Sequence, residues 1–158
     1  PLLKVGFKQT HAAILRFDLS TIPSGAKVNH AELQLYAAGW SGPNANITIS
    51  AYAISNTVFI SETTWTNAEH DLLWSTPGCA NLMFDRRPAA AHTLTTTGPH
   101  IWYRWELSTL VQEWLDGSLP NNGVLLRQER VLSPYTYFFA SAEYEDVELR
   151  PRLLVRYE

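Results

Sequence analysis

Short runs in which apolar and polar residues alternate recur along the chain, and they constrain its fold more than any other feature. At positions 101, 103, 105 and 107 the residues are apolar, whereas Trp102, Arg104 and Glu106 occupy the positions between them. A period of two is typical of a β-strand with one buried face. The pattern predicts about eight strands: Leu2 to Phe7, Ala12 to Leu19, Val28 to Ala37, Ile47 to Ile54, Ile101 to Leu107, Gly123 to Gln128, Tyr135 to Ser141 and Arg150 to Tyr157. Their inward residues should include Leu15, Phe17, Leu19, Ala31, Leu33 and Leu35.

Three segments add detail to this all-β pattern. Apolar residues at 107, 110, 111, 114 and 115 follow helical spacing, and Gly117 stands where a helix ends, so we expect one short helix there with Thr109 and Gln112 as its capping box. The turn residues 39–43 predict a hairpin between the strands on either side of them. Residues 55–100 have no sustained period, so we interpret them as a long, partly ordered excursion.

Size and composition favour one β-sandwich domain over residues 1–158. A compact chain of 158 residues buries roughly 68–70% of its unfolded surface, which is enough for one large core. The net charge of −3, with no basic block, argues against nucleic acid as a partner, and no apolar run is long enough for membrane insertion. Cys79 is the only cysteine, so no intrachain disulfide can form. Because the chain starts at Pro1 and its only methionine is Met83, we expect a processed, truncated or incompletely observed N-terminus.

Several ordered segments resemble one family of extracellular domains. They are Ala13–Val28 with Ala31–Tyr36, Glu62–Ala68, Leu107–Gly117, Asn121–Arg127, and Phe139–Tyr144 leading to Leu149–Val155. Together they resemble the DNRLRE-type domains found beside disaggregatases and alginate-lyase-associated carbohydrate-binding modules. The resemblance implies a jelly-roll β-sandwich appended to a polysaccharide-acting enzyme or surface protein, with a non-catalytic carbohydrate-binding role. Residues 69–100 are longer and more irregular than the family pattern, and the usual N-terminal extension is absent before Leu2.

One predicted sheet face has residue types suited to sugars. Carbohydrate sites combine flat aromatic surfaces with planar polar groups, and Trp102 and Arg104 alternate with core residues on one strand. Arg16 and Arg127, and Tyr36 on its own strand, also alternate with core residues and could join them. Guanidinium groups bind carboxylates in a bidentate manner, which would suit an acidic, uronate-bearing glycan. The alternative is that these arginines pair with acidic residues of neighbouring strands: Asp18, Glu32 or Glu106.

Other aromatic residues offer a second location for contacts. Trp40, in a Gly- and Pro-rich turn region, and Trp74, in the excursion, could form a site at loop tips. We assign Trp65, Trp105 and Trp114 to the core instead, because each lies in an apolar, periodic setting.

Metal binding and catalysis have weaker support. The acidic group Glu143, Glu145, Asp146 and Glu148 could provide oxygen ligands for a structural Ca²⁺, although it lacks the spacing of a dedicated calcium loop. Glu143 could instead pair with Arg150. We expect no other cofactor. The sequence contains no nucleophile motif and no convincing carboxylate pair, so we expect no enzymatic activity.

Two functions remain as hypotheses. The first is an extracellular carbohydrate-binding module for a polysaccharide or cell-surface glycan, with acidic polymers as the preferred class. The second is a structural or adhesive module of a filament, sheath or surface protein, whose partners are other copies of itself or neighbouring domains.

Overall fold

The computed structural model describes residues 1–42, 46–129 and 133–158, and it contains two antiparallel sheets and one small hairpin. The strands are β1 (Leu2–Gly6), β2 (Ala13–Leu15), β3 (Val28–Trp40), β4 (Thr48–Ala53), β5 (Asn67–Glu69), β6 (Leu72–Leu73), β7 (His92–Thr95), β8 (Trp102–Glu106), β9 (Val124–Gln128), β10 (Thr136–Ala140) and β11 (Arg152–Tyr157). The five-stranded sheet contains β1, β10, β3, β8 and β11, and the four-stranded sheet has the order β2-β9-β4-β7.

Strand pairing is nested, and this identifies the architecture. β1 pairs with β10, β2 with β9, β3 with β8, and β4 with β7, all antiparallel. Eight strands nested in this way over two sheets form a jelly roll. β11 is added on the edge of β3 opposite β8, because Gln34 is the register partner of both Arg104 and Arg152. The predicted jelly-roll β-sandwich is confirmed.

The predicted hairpin between the third and fourth strands is wrong. β3 lies in the five-stranded sheet and β4 in the four-stranded sheet, so the chain crosses from one sheet to the other here. β3 also continues to Trp40, three residues past its predicted end, and Pro43 of the predicted turn lies outside the described residues. Turn residues mark where a strand ends, whereas the sheet that takes up the next strand is decided by non-local pairing.

The core between the sheets is built on aromatic rings from β8 and β10. Tyr103, Trp105, Tyr137 and Phe139 contact one another with ring centroids 6.0 to 6.4 Å apart, mostly edge to face. The Trp105 Nε1–H donates to the Ile49 carbonyl oxygen at 3.1 Å and so joins the two sheets. The predicted core residues Ala31, Leu33, Leu35 and Leu15 are buried, whereas Phe17 and Leu19 are only partly buried at its margin.

The predicted helix is present as α1 (Ser108–Leu115) and packs against β3. Leu110, Val111 and Trp114 are its buried residues. The predicted capping box is wrong: the N-cap residue is Leu107, whose side chain makes no capping hydrogen bond, and Gln112 instead accepts a hydrogen bond from Val28 N at 2.8 Å. Within the described ranges no helix is long and apolar enough to cross a membrane.

The excursion is more ordered than its sequence indicates, because it has a small core of its own. Trp74, Cys79 and Val58 pack with apolar residues of β4 and β9. The fully buried Asp85 accepts hydrogen bonds from the backbone N–H groups of residues 75, 76 and 81 at 2.8 to 3.1 Å. One carboxylate therefore fixes three backbone groups and orders residues 75–81, which form neither helix nor strand.

Candidate functional site

The outer face of the five-stranded sheet positions the first group of predicted site residues. Tyr36 of β3 and Trp102 of β8 are direct register partners, and Arg104 lies opposite Gln34 in the next outward row. Because neighbouring outward residues on a strand are two positions apart, these side chains share one surface. The predicted grouping of Tyr36, Trp102 and Arg104 on one face is present in the structure.

Arg152 of β11 joins this group, and the sequence analysis missed it. Its guanidinium carbon lies 4.8 Å from the centroid of the Trp102 ring, and Tyr36 meets the same ring edge to face at 5.7 Å. Alternation along the last strand already indicated that Arg152 points outward, but only the register places it beside Trp102. We call Tyr36, Trp102, Arg104 and Arg152 the outer patch.

Acidic side chains compensate the two arginines incompletely. The Arg104 Nη1 atom lies 3.7 Å from Glu32 Oε1, and the Arg152 Nη2 atom lies 3.4 Å from Glu148 Oε2. A hydrogen bond from the Gln34 side chain, followed by weaker contributions from His30 and Arg104, lowers the pKa of Glu32 and keeps it ionised. Since the side chains of Arg104 and Arg152 are 63% and 47% exposed, both retain N–H groups that a ligand can reach.

Arg16 and Arg127 do not lie on the outer patch, so this part of the predicted site is wrong. Arg16 follows β2 and Arg127 lies in β9, and both strands belong to the other sheet. Arg16 donates to the Val58 carbonyl at 3.3 Å, and Arg127 donates to the Gly78 carbonyl at 3.2 Å. Burial beneath the excursion lowers the pKa of Arg127. Alternation tells which side of its own strand a residue occupies, but not which sheet contains that strand.

The structure does not place Trp40 and Trp74 together at exposed loop tips. Trp40 is the last residue of β3, is only partly exposed, and packs edge to face on Tyr137 at 5.9 Å. Trp74 is buried, and its Nε1–H donates to the Thr64 carbonyl at 3.0 Å. Trp74 therefore supports the fold from within, and Trp40 packs at the margin of the core.

Trp65 was assigned to the core, but the structure exposes it. Trp105 and Trp114 are buried as predicted, whereas Trp65 is 43% exposed and lines a groove of about 510 Å³. Its six-membered ring lies against Gly78, where an added Cβ would come within 2.5 Å of a ring carbon. The sequence signal was the Glu62–Ala68 segment of the family resemblance, which the core assignment of Trp65 overrode.

Members of the acidic group near the C-terminus make contacts within their own segment. Asp146 accepts a hydrogen bond from Glu148 N at 2.9 Å, and Arg150 donates to the Tyr144 carbonyl at 2.8 Å rather than to Glu143. In the part of the chain that the structure describes, no three His, Cys, Asp or Glu side chains form a group able to hold a metal ion. Ca²⁺ binding by Glu143, Glu145, Asp146 and Glu148 stays a prediction from the sequence alone.

One comparison with known proteins bears on this geometry. Residues 3–76 match the family model of carbohydrate-binding module family 96, and this match supports a carbohydrate-binding domain. The matched range contains β2 to β6 and all of β1 except Leu2, together with Tyr36 and Trp65, and it ends before Trp102. A search of curated proteins found no match.

Proposed function

We propose that this chain is a non-catalytic, extracellular carbohydrate-binding module that recognises acidic polysaccharide. The observation that supports carbohydrate as the ligand class is the match of residues 3–76 to carbohydrate-binding module family 96. The DNRLRE-type resemblance is part of the same proposal. Polyuronates are components of cell walls and extracellular matrices, so this role implies a secreted or surface-attached protein.

The preference for uronate polymers rests on the outer patch. Arg104 and Arg152 flank Gln34 on the two strands that neighbour β3, so their backbones are about 10 Å apart. Each guanidinium keeps exposed N–H groups. The guanidinium of Arg152 lies over the Trp102 ring. Two cationic groups beside aromatic rings suit a polymer that repeats its carboxylates along one chain. A neutral glycan would offer their exposed N–H groups no carboxylate.

Native gel electrophoresis with polysaccharide in the gel tests this proposal on the whole chain. We expect alginate or polygalacturonate to retard the wild-type protein more strongly than a neutral polymer such as hydroxyethyl cellulose. Arg104→Gln and Arg152→Gln should each weaken retention by polyuronate about tenfold, because each removes about 1.4 kcal/mol of charge-assisted hydrogen bonding.

Arg156→Gln is the matched control. Arg156 is exposed on β11, two outward positions further along from Arg152, and its loss changes the net charge by the same amount. Equal weakening by Arg156→Gln and Arg104→Gln would indicate nonspecific attraction and would contradict a site at the outer patch. Equal retention in acidic and neutral polymers would contradict the uronate preference.

A second candidate function is a structural module of an extracellular filament or sheath. A turn of the excursion favours it, since Leu82, Met83 and Phe84 are 53%, 78% and 60% exposed. Consecutive exposed apolar residues of this kind mark protein interfaces. The Asn81 side chain stabilises this turn, because its Oδ1 accepts hydrogen bonds from Met83 N and Phe84 N at 2.9 and 3.0 Å.

Sedimentation velocity separates the two functions. Self-association that Met83→Ser abolishes, in a protein that no polysaccharide retards, would favour the structural module. A monomer at all concentrations that is retarded by polyuronate would favour the carbohydrate-binding module.

A further inference from the structure

A groove lies between the edge strands β1 and β2, which begin the two sheets. It occupies about 510 Å³, and the excursion forms its remaining wall. Ala13, Ile14 and Leu125 come from the four-stranded sheet, and Leu3 and Lys4 come from β1. We call this the β1–β2 groove. The excursion contributes Ile60, Thr63, Thr64, Trp65 and Gly78 to its lining.

Trp65 supplies a fixed aromatic surface in this groove. Its carbonyl accepts a hydrogen bond from Gly78 N at 2.6 Å, and its ring lies over the same glycine. Thr64 N donates to the Asn67 carbonyl at 2.9 Å, and the buried Trp74 holds the Thr64 carbonyl at 3.0 Å. The ring is therefore held in place before any ligand arrives, which lowers the entropic cost of binding.

The polar groups of the groove are cationic or neutral. Among the residues that the structure describes, no Asp or Glu lines it, whereas Lys4 and His11 do. Lys4 is exposed and forms no ion pair within residues 1–42, 46–129 and 133–158. A half-exposed indole ring near hydroxyl groups and one free ammonium group matches a pyranose ring that carries hydroxyls and a carboxylate.

The family match coincides with this groove more closely than with the outer patch. Of the residues that line the groove, only Leu2, Gly78 and Leu125 lie outside the matched range 3–76. Trp102, Arg104 and Arg152 of the outer patch all lie beyond it. The part of the chain that resembles a carbohydrate-binding family is thus the part that builds the groove.

We infer that the β1–β2 groove is a second carbohydrate-binding site, in which Trp65 stacks on a pyranose ring and Lys4 pairs with the carboxylate of an acidic sugar. This inference rests on the proposed function. It adds a site on another side of the sandwich from the outer patch, so one long polysaccharide can engage two places on the domain. Two linked contacts strengthen binding to a polymer more than to a short oligosaccharide.

Paired variants test the groove in the same native gels. Trp65→Ala should weaken retention by alginate about tenfold, because an aromatic surface for stacking is lost. Phe59→Ala is its control, since Phe59 is 53% exposed in the same excursion but does not line the groove. Lys4→Gln should weaken retention about threefold, and Lys8→Gln should leave it unchanged, since Lys8 is exposed outside the groove.

The outcomes separate the groove from the wider proposal. If alginate retards the wild-type chain but retains Trp65→Ala as strongly as Phe59→Ala, the groove inference is overturned and the proposed function stands. If Trp65→Ala does not unfold cooperatively, the comparison of Lys4→Gln with Lys8→Gln decides, and equal retention of these two overturns the inference. If no polysaccharide retards the wild-type chain, both proposals fail, and self-association that depends on Trp65 would then identify the groove as a contact between copies.

Discussion

The Tyr103 hydroxyl holds together the turn before β8, and its removal gives the sharpest stability prediction. This hydroxyl accepts hydrogen bonds from Thr97 N at 2.7 Å and Gly98 N at 2.9 Å, and it donates to the Gly98 carbonyl at 2.6 Å. Tyr103→Phe keeps the ring contacts with Trp105, Tyr137 and Phe139 but removes all three bonds. Each partly buried group left unpaired costs about 1 kcal/mol, at the lower end of the usual range because Thr97 is exposed. We expect the free energy of unfolding to fall by about 2 to 3 kcal/mol.

Urea unfolding at 25 °C, followed by tryptophan fluorescence, measures this loss. The midpoint should fall with no change in the slope, and the melting temperature should fall by about 4 to 12 °C for a domain of this size. Tyr157→Phe is the matched control. Tyr157 is 43% exposed, so water can hydrogen-bond to any group that loses the hydroxyl, and little stability should be lost. A cost for Tyr103→Phe that equals the cost for Tyr157→Phe would refute the reasoning.

Three further predictions follow from named contacts. Trp105→Phe should lower the free energy of unfolding by about 2 to 3 kcal/mol, measured by the same urea titration, because it opens a cavity and removes the donor to the Ile49 carbonyl; a loss below about 1 kcal/mol would contradict this. Gly78→Ala should cost about 1 to 2 kcal/mol and displace Trp65, because residue 78 has φ +78° and its Cβ would meet the ring; unchanged stability and alginate retention would argue against it. Burial raises the pKa of Cys79 to about 12, so Ellman's reagent at pH 8 should leave the folded chain unmodified and react after unfolding in urea; rapid reaction of the folded chain would contradict the burial.

The strands with one buried face could be predicted from the sequence, because burial on one side imposes a period of two. The edge strand β7 (His92–Thr95) was missed because it has no buried face and therefore no such period. Its residues are all exposed or partly exposed, so they carry no apolar alternation. A strand of this kind is defined by its pairing with β4, which is non-local.

The candidate site was predicted only where it depends on one strand or on adjacent positions. Trp102 and Arg104 point outward together because they are two positions apart on β8. The separation of Arg16 from Trp102, and the approach of Arg152, depend on which strands pair, and alternation carries no information on this. Trp65 was expected in the core and Trp74 in solvent, and the structure shows the reverse. Both lie in an aperiodic segment, where turn geometry decides burial and no period assigns a side chain to the core or to solvent.

Binding of carbohydrate by the whole chain is the central claim, and calorimetry tests it most directly. Isothermal titration of the wild-type protein with alginate oligosaccharides of defined length should give a saturable heat of binding, and the affinity should fall as salt screens the arginine and lysine charges. Hydroxyethyl cellulose should give a weaker heat or none. The absence of saturable heat with every acidic and neutral polysaccharide, in a protein that is folded by circular dichroism, would contradict the account.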